Sequence, residues 1–161
     1  MKYINKKLSI ENVKVQNIAK KFGTPAYCYS YNQLKKNINN FKISFKSFSP
    51  LICFAIKSNT NVNLVKEIAK FGLGADVVSL DELMKALKAG IKPNKIVFSG
   101  VGKTSEEINF AVNKKILLIN AESKSEILEI ERIAKKNKKN YYNYIIFFID
   151  NFMWKKKLSK K

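Results

Sequence analysis

Histidine is missing from the 161-residue chain. That absence removes the commonest general base and metal ligand, and with them catalysis by Ser-His or Cys-His pairs. Arginine is nearly missing too, since Arg132 stands alone among 31 basic residues. The net charge of +19 invites a nucleic-acid reading. Without arginine's planar fork, however, the chain lacks the group favoured for phosphate and base-edge recognition. Its lysines are instead scattered over presumed solvent faces, as Lys66, Lys70, Lys85 and Lys88 are. Cysteine is limited to Cys28 and Cys53, which share no metal or redox spacing. Such a pair fits a reducing cytoplasm better than a disulfide framework. No carboxylate cluster suggests a metal. No apolar run approaches a membrane span, and the N-terminus carries no stretch resembling a signal peptide.

What the chain does have is a repeating pattern. The runs 51–56, 74–79, 95–99 and 116–120 are short and mainly apolar, with a polar, capped stretch after each. Helical patterns alternate with them, four opened by capping boxes: Ser30–Gln33, Ser79–Glu82, Thr104–Glu107 and Ser123–Glu126. Gly90 ends the helix opened at Ser79, and Gly72 ends a further helix marked by Leu64, Val65, Ile68 and Ala69 at i, i+3, i+4 spacing. Residues 15–21 read as an additional helix closed by Gly23, and 26–29 as a strand. Strand and helix thus alternate at roughly 20-residue intervals, which predicts βα units on a parallel sheet. Two architectures suit short, apolar strands: a partial (β/α)8 TIM-type barrel of four to five units, or a doubly wound open sheet.

Lys57 closes the apolar run LICFAI, where a buried strand meets a polar loop. Ligands bind at that edge of α/β folds, and partial desolvation there disfavours the ammonium and favours a Schiff-base nucleophile. The competing reading is a lysine that is merely the first solvated residue after a strand. Asp76 lies inside the strand GADVVS, so its carboxylate must face a polar barrel mouth or find a partner. Glu82 reads first as the capping partner of Ser79. The stretch SGVGKT (residues 99–104) resembles the end of a nucleotide-binding loop, but Val97 stands where that loop needs its first glycine. A tight turn shaped by Gly100 and Gly102, with Thr104 as helix cap, accounts for it.

The segments GTPAYCYS (23–30), FAIKSNTN (54–61), GADVVSLDEL (74–83), ALKAGIKPNKIVFSGVGKT (86–104) and INAES (119–123) occur in this order. Together they resemble the N-terminal half of a diaminopimelate decarboxylase, a pyridoxal-phosphate enzyme of the alanine-racemase-like barrel class. The resemblance covers roughly residues 13–134. It implies that Lys57 is the lysine that carries pyridoxal 5'-phosphate, and that meso-diaminopimelate is decarboxylated to L-lysine and CO2. It further implies that Asp76 and Glu82 lie near the cofactor, and that the full-length enzyme is a cytoplasmic homodimer acting on a small molecule. Neither a metal, a specific nucleic acid nor a membrane belongs to this picture.

Some family features are missing from the sequence. They are an Arg-x-Asn-Pro segment near 145–150, the histidine facing the cofactor, the glycine-rich phosphate loop and a Glu-Pro-Gly-Arg motif. So is the C-terminal β-domain of a family more than twice as long. Residues 137–161, rich in Lys, Asn and aromatics, diverge from the family; within them 144–149 could form one more strand, and 141–154 could lie on a membrane surface. The expected organisation is an N-terminal segment (1–25), a partial pyridoxal-phosphate-binding barrel (26–136) and a divergent tail (137–161). A truncated or frameshifted reading frame with little activity of its own is expected. The alternative is a non-catalytic fragment that binds the cofactor, a nucleic acid or an anionic surface.

Overall fold

The computed structural model describes residues 1–137 and the backbone of residues 145–149 and 152–156. The chain divides into two compact units, Met1–Pro50 and Leu51–Lys161.

The first unit opens with an antiparallel meander of β1 (Lys2–Ile4), β2 (Lys7–Ile10) and β3 (Val13–Lys14). Asn5 and Lys6 both take positive φ, 48° and 59°. That is what a two-residue hairpin turn matched to the strand twist requires. The sequence betrays only apolar alternation here, because the turn uses Asn-Lys where Asn-Gly would have announced it. Helix α1 (Val15–Phe22) follows, closed by Gly23 as expected. The strand expected over 26–29 does not form. Tyr27 and Tyr29 are exposed, and no strand among the described residues pairs with the segment, so its backbone has no ladder to join. Helix α2 (Tyr31–Ser44) begins where Ser30 Oγ accepts from the Gln33 N–H. Glu11 Oε1 accepts from both the Ser30 hydroxyl and the Asn32 N–H, at 2.7 Å each, which ties the helix start to the meander.

The second unit alternates β4 (Cys53–Ala55), α3 (Val62–Lys70), β5 (Gly74–Val77), α4 (Leu80–Lys88), β6 (Ile96–Phe98), α5 (Ser105–Lys114), β7 (Leu118–Ile119) and α6 (Lys124–Lys136). The four strands pair in parallel in the order β4-β5-β6-β7. Ala55 lies beside Asp76, Asp76 beside Val97 and Val97 beside Leu118. Side chains alternate across such a sheet. Ala75, Val77, Ile96, Phe98 and Ile119 point to one face, where they are fully buried against Val65, Leu83, Ile108, Val112 and Ile130 of the helices. Asp76, Val97 and Leu118 point to the other face and are only half-buried.

Sequential strand order with every described helix of this unit on one face is the arrangement of a (β/α) barrel wall. A doubly wound sheet would carry helices on both faces. The strands are shorter than the apolar runs, because the ladder ends where each chain turns toward its helix. The residue expected to close the first strand, Lys57, accordingly lies in a 3₁₀ turn (Ile56–Ser58) just beyond β4.

The strand expected near 144–149 does form. Residues Ile145–Ile149 form β8, but its partner is β9 (Phe152–Lys156) in an antiparallel pair, so it does not extend the parallel sheet. The reading of 141–154 as a surface-lying segment turns on side chains that lie outside the described residues. Among the described residues no helix is long and apolar enough to cross a membrane.

Candidate functional site

The three βα turns that follow β5, β6 and β7 are each built around a glutamate that turns back on its own helix start. In α4, Ser79 Oγ accepts from the Glu82 N–H, while Glu82 Oε2 accepts from the Val78 N–H at 2.9 Å. Helix α6 repeats this with Ser123, Glu126 and the Glu122 N–H at 2.7 Å. Helix α5 has the full reciprocal box of Thr104 and Glu107. Glu107 also reaches the neighbouring β5–α4 turn, its Oε1 accepting from the Leu80 N–H at 3.0 Å. These bonds hold the C-terminal edge of the sheet rigid from three sides.

The charge state of Glu107, and of Glu129 on α6, sets a pH dependence. Burial pushes the Glu107 carboxyl up, but hydrogen bonds from Thr104 and Leu80 outweigh it and hold it below the ordinary value of 4.5. Glu129 is held down to about 2, first by hydrogen bonds from Arg132 and then from Ser105. A carboxyl depressed on folding stabilises the native state above its unfolded value and loses that contribution as pH falls toward its folded value. The urea midpoint should therefore hold steady above pH 4.5 and decline from there toward about 2. Glu129→Gln should make that decline shallower, and an unchanged acid slope would contradict this account.

The loop from Gly100 to Thr104 answers the nucleotide question. Gly100 and Gly102 take positive φ, 90° and 70°. The Lys103 side chain runs inward and is 1% exposed. Its Nζ donates to Gly100 O (2.6 Å), Asn120 O (2.6 Å) and Glu126 Oε1 (3.1 Å). An ammonium has three protons, and all three are used. The lysine is a structural pin and has nothing left for a phosphate.

At the mouth itself, Lys57 is exposed at the end of β4, and its amine makes no hydrogen bond or ion pair among the described residues. The desolvation expected for it is not supplied by these neighbours. Asp76 sits one strand over, on the half-buried face, and its Oδ1 accepts from the Ser99 hydroxyl at 2.6 Å. Ser99 Oγ in turn accepts from Asn120 Nδ2 at 2.9 Å. Asn120 Oδ1 is buried with no hydrogen bond among the described residues. Ser99 and Asn120 were not singled out as site residues by the sequence; their position as the polar last residues of two adjacent apolar runs was the available signal. Glu82 is buried, with one carboxylate oxygen engaged by the Val78 N–H. Cys53 is partly buried; burial, and after it the charge of Asp76, push its thiol up, away from the reactive thiolate. Among the described residues no group of His, Cys, Asp and Glu could hold a metal ion. What remains at this edge is a primary amine with no partner among the described residues, two residues past the register partner of a positioned carboxylate. That arrangement fits a carbonyl cofactor, which needs an amine to condense with and an anion nearby.

Comparison with known proteins points to the same cofactor. Residues 31–146 match the family model described as pyridoxal-dependent decarboxylase, pyridoxal binding domain. A diaminopimelate decarboxylase of Aquifex aeolicus is 43% identical over 136 residues, which is 84% of this chain and 32% of that protein. One from Helicobacter pylori is 47% identical over 114 residues, 71% of this chain and 28% of the relative. Among solved structures, the diaminopimelate decarboxylase of M. jannaschii in complex with L-lysine superimposes with a TM-score of 0.86 at 33% identity. That match covers 91% of this chain and 35% of the other. A structure from Aquifex aeolicus gives 0.85 at 42% identity, with the same coverages. The chain thus spans about a third of the length of the relatives it matches, and its sheet and helices are part of their alanine-racemase-like barrel. Matched from residue 31 to 146 by the pyridoxal-binding domain, the chain belongs to the pyridoxal-dependent decarboxylases.

Proposed function

We propose that this chain carries the lysine-bearing part of a diaminopimelate decarboxylase, which converts meso-2,6-diaminopimelate to L-lysine and CO2 with pyridoxal 5'-phosphate. The observation that supports it most is the Lys57 amine at the C-terminal end of β4, without a partner among the described residues and one strand from the positioned Asp76. When bound, the cofactor supplies the electron sink for the carbanion left by departing CO2. Lys57 would hold it covalently through Nζ, and Asp76 would present an anion to the same mouth. Glu82 would act through the β5–α4 turn, where it keeps the end of Asp76's strand in place. The helix-facing core excludes water from behind the sheet, while the half-buried face remains the side from which cofactor and substrate approach.

Two finer statements belong to this reading. The assembled enzyme would be a homodimer, and a light-scattering mass of one protomer would count against that. It would work in the cytoplasm, in keeping with two cysteines that are both free.

The test is chemical. Borohydride reduction of the chain with pyridoxal phosphate, followed by peptide mapping, should place a pyridoxyl group on Lys57; an unmodified Lys57 would sink the reading. Lys57→Ala should abolish that label. Because the side chain is exposed, the same change should alter folding stability by no more than about 0.5 kcal/mol.

A further inference from the structure

Three side chains on three neighbouring strand ends form one continuous line: Asn120 Nδ2–H to Ser99 Oγ, and Ser99 O–H to Asp76 Oδ1. A serine hydroxyl has a single proton. Since it accepts from the Asn120 amide, that proton is free to go to Asp76, and the line has one direction. At 2.6 Å the second bond has the length of a charge-assisted hydrogen bond to a carboxylate. Both donors are fixed by backbone. The Ser99 N–H donates to Val77 O and the Asn120 N–H to Phe98 O, each at 2.8 Å, so both residues continue the sheet ladder. The Asn120 carbonyl is held further by buried Lys103.

The arrangement also has a cost. Holding its N–H toward Ser99 leaves Asn120 Oδ1 buried with no hydrogen-bond partner among the described residues. A core built for stability alone avoids such an orphan, and one that persists calls for an explanation. What the line achieves is to fix one oxygen of Asp76 while Oδ2 makes no hydrogen bond among the described residues. Asp76 lies in register with Ala55, two residues before Lys57.

We infer that Ser99 and Asn120 are positioning residues that lock the Asp76 carboxylate beside the cofactor lysine, acting on the cofactor only through Asp76. The inference rests on Lys57 being that lysine. Its test is a set of variants of the full 161-residue chain: Ser99→Ala, Ser99→Thr, Asn120→Ala, Asp76→Ala and the double change S99A/D76A. Each is titrated with pyridoxal phosphate, reduced with borohydride and mapped for label on Lys57, with the urea midpoint recorded as a check on folding.

Ser99→Ala should weaken labelling roughly tenfold or more, the worth of a lost hydrogen bond to a charged group, and Asn120→Ala, which removes a neutral bond to Ser99, roughly fivefold. Ser99→Thr, which keeps the hydroxyl, should restore labelling to within about twofold, and S99A should add nothing once Asp76 is alanine. A residue with a merely structural role would lower the urea midpoint and give losses that multiply with D76A. Multiplying losses, or full labelling in Ser99→Ala, would overturn the positioning role while leaving Lys57 as the cofactor lysine. Absence of label on Lys57 in the unaltered chain would overturn both.

Discussion

Replacing Lys103 by Met should destabilise the four-stranded unit by about 3–5 kcal/mol, the usual cost of removing one partner from a buried ion pair. The side chains of Lys103 and Glu126 are 1% and 8% exposed. Methionine fills much of the same volume and keeps contact with the Phe98 ring, over which the ammonium sits at 5.8 Å. The loss is therefore electrostatic. Glu126 Oε1 would be left charged and unpaired, with only Oε2 still bound by the Glu122 N–H. The Gly100 and Asn120 carbonyls would lose their donor as well. Urea unfolding followed by far-UV circular dichroism measures the effect. K103M/E126Q should recover about half of it, because a neutral amide can still accept from Glu122 without a stranded charge. A loss under about 0.5 kcal/mol would mean that water reaches the ammonium and that the pin is not a pin. A nucleotide-binding lysine would give the opposite profile, with unchanged stability and lost phosphate affinity.

The contrast between Lys103 and Lys57 marks how far this sequence could be read. Capping signals are local, one side chain meeting a backbone three residues away, so Ser30, Ser79, Thr104 and Ser123 announced the helices where they begin. Phase follows from the caps, and with it the four parallel strands. Lys57 was legible because a charge directly after an apolar run is conspicuous. Lys103 was not readable as a buried pin, since its partners lie at Asn120 and Glu126, a full βα unit later in the chain. Ser99 and Asn120 escaped for the same reason: each touches Asp76 or its neighbour only after three strands have paired in register. Residues 26–29 erred the other way. Their composition favours a strand, but strand formation is a property of a pair, and the described residues offer no partner edge.

Gly74→Ala should cost about 3 kcal/mol or more, at the upper end of what overpacking does. Gly74 has no unusual φ to protect, so the reason is space. It opens β5 beside Cys53 and donates its N–H to Ile52 O at 2.9 Å. A β-carbon there would fall on the carbonyl oxygen of Lys95, with that residue's carbonyl carbon at 3.2 Å and Cys53 Sγ at 2.8 Å. The sulfur could rotate away, but the Lys95 carbonyl is backbone at the entry to β6 and cannot. The penalty should therefore persist in a Cys53→Ala background; its disappearance there would assign the crowding to sulfur alone. Relief would have to come from β5 moving away from β6. Asp76 is two residues on, and its 2.6 Å bond to Ser99 bridges that same pair of strands. A variant that still folds should accordingly lose pyridoxyl labelling at Lys57 along with stability, although neither Gly74 nor the added methyl group touches the mouth. Loss of stability with labelling intact would mean that Asp76 does not depend on the spacing of β5 and β6, and that the site tolerates a shift its hydrogen bonds are too short to absorb.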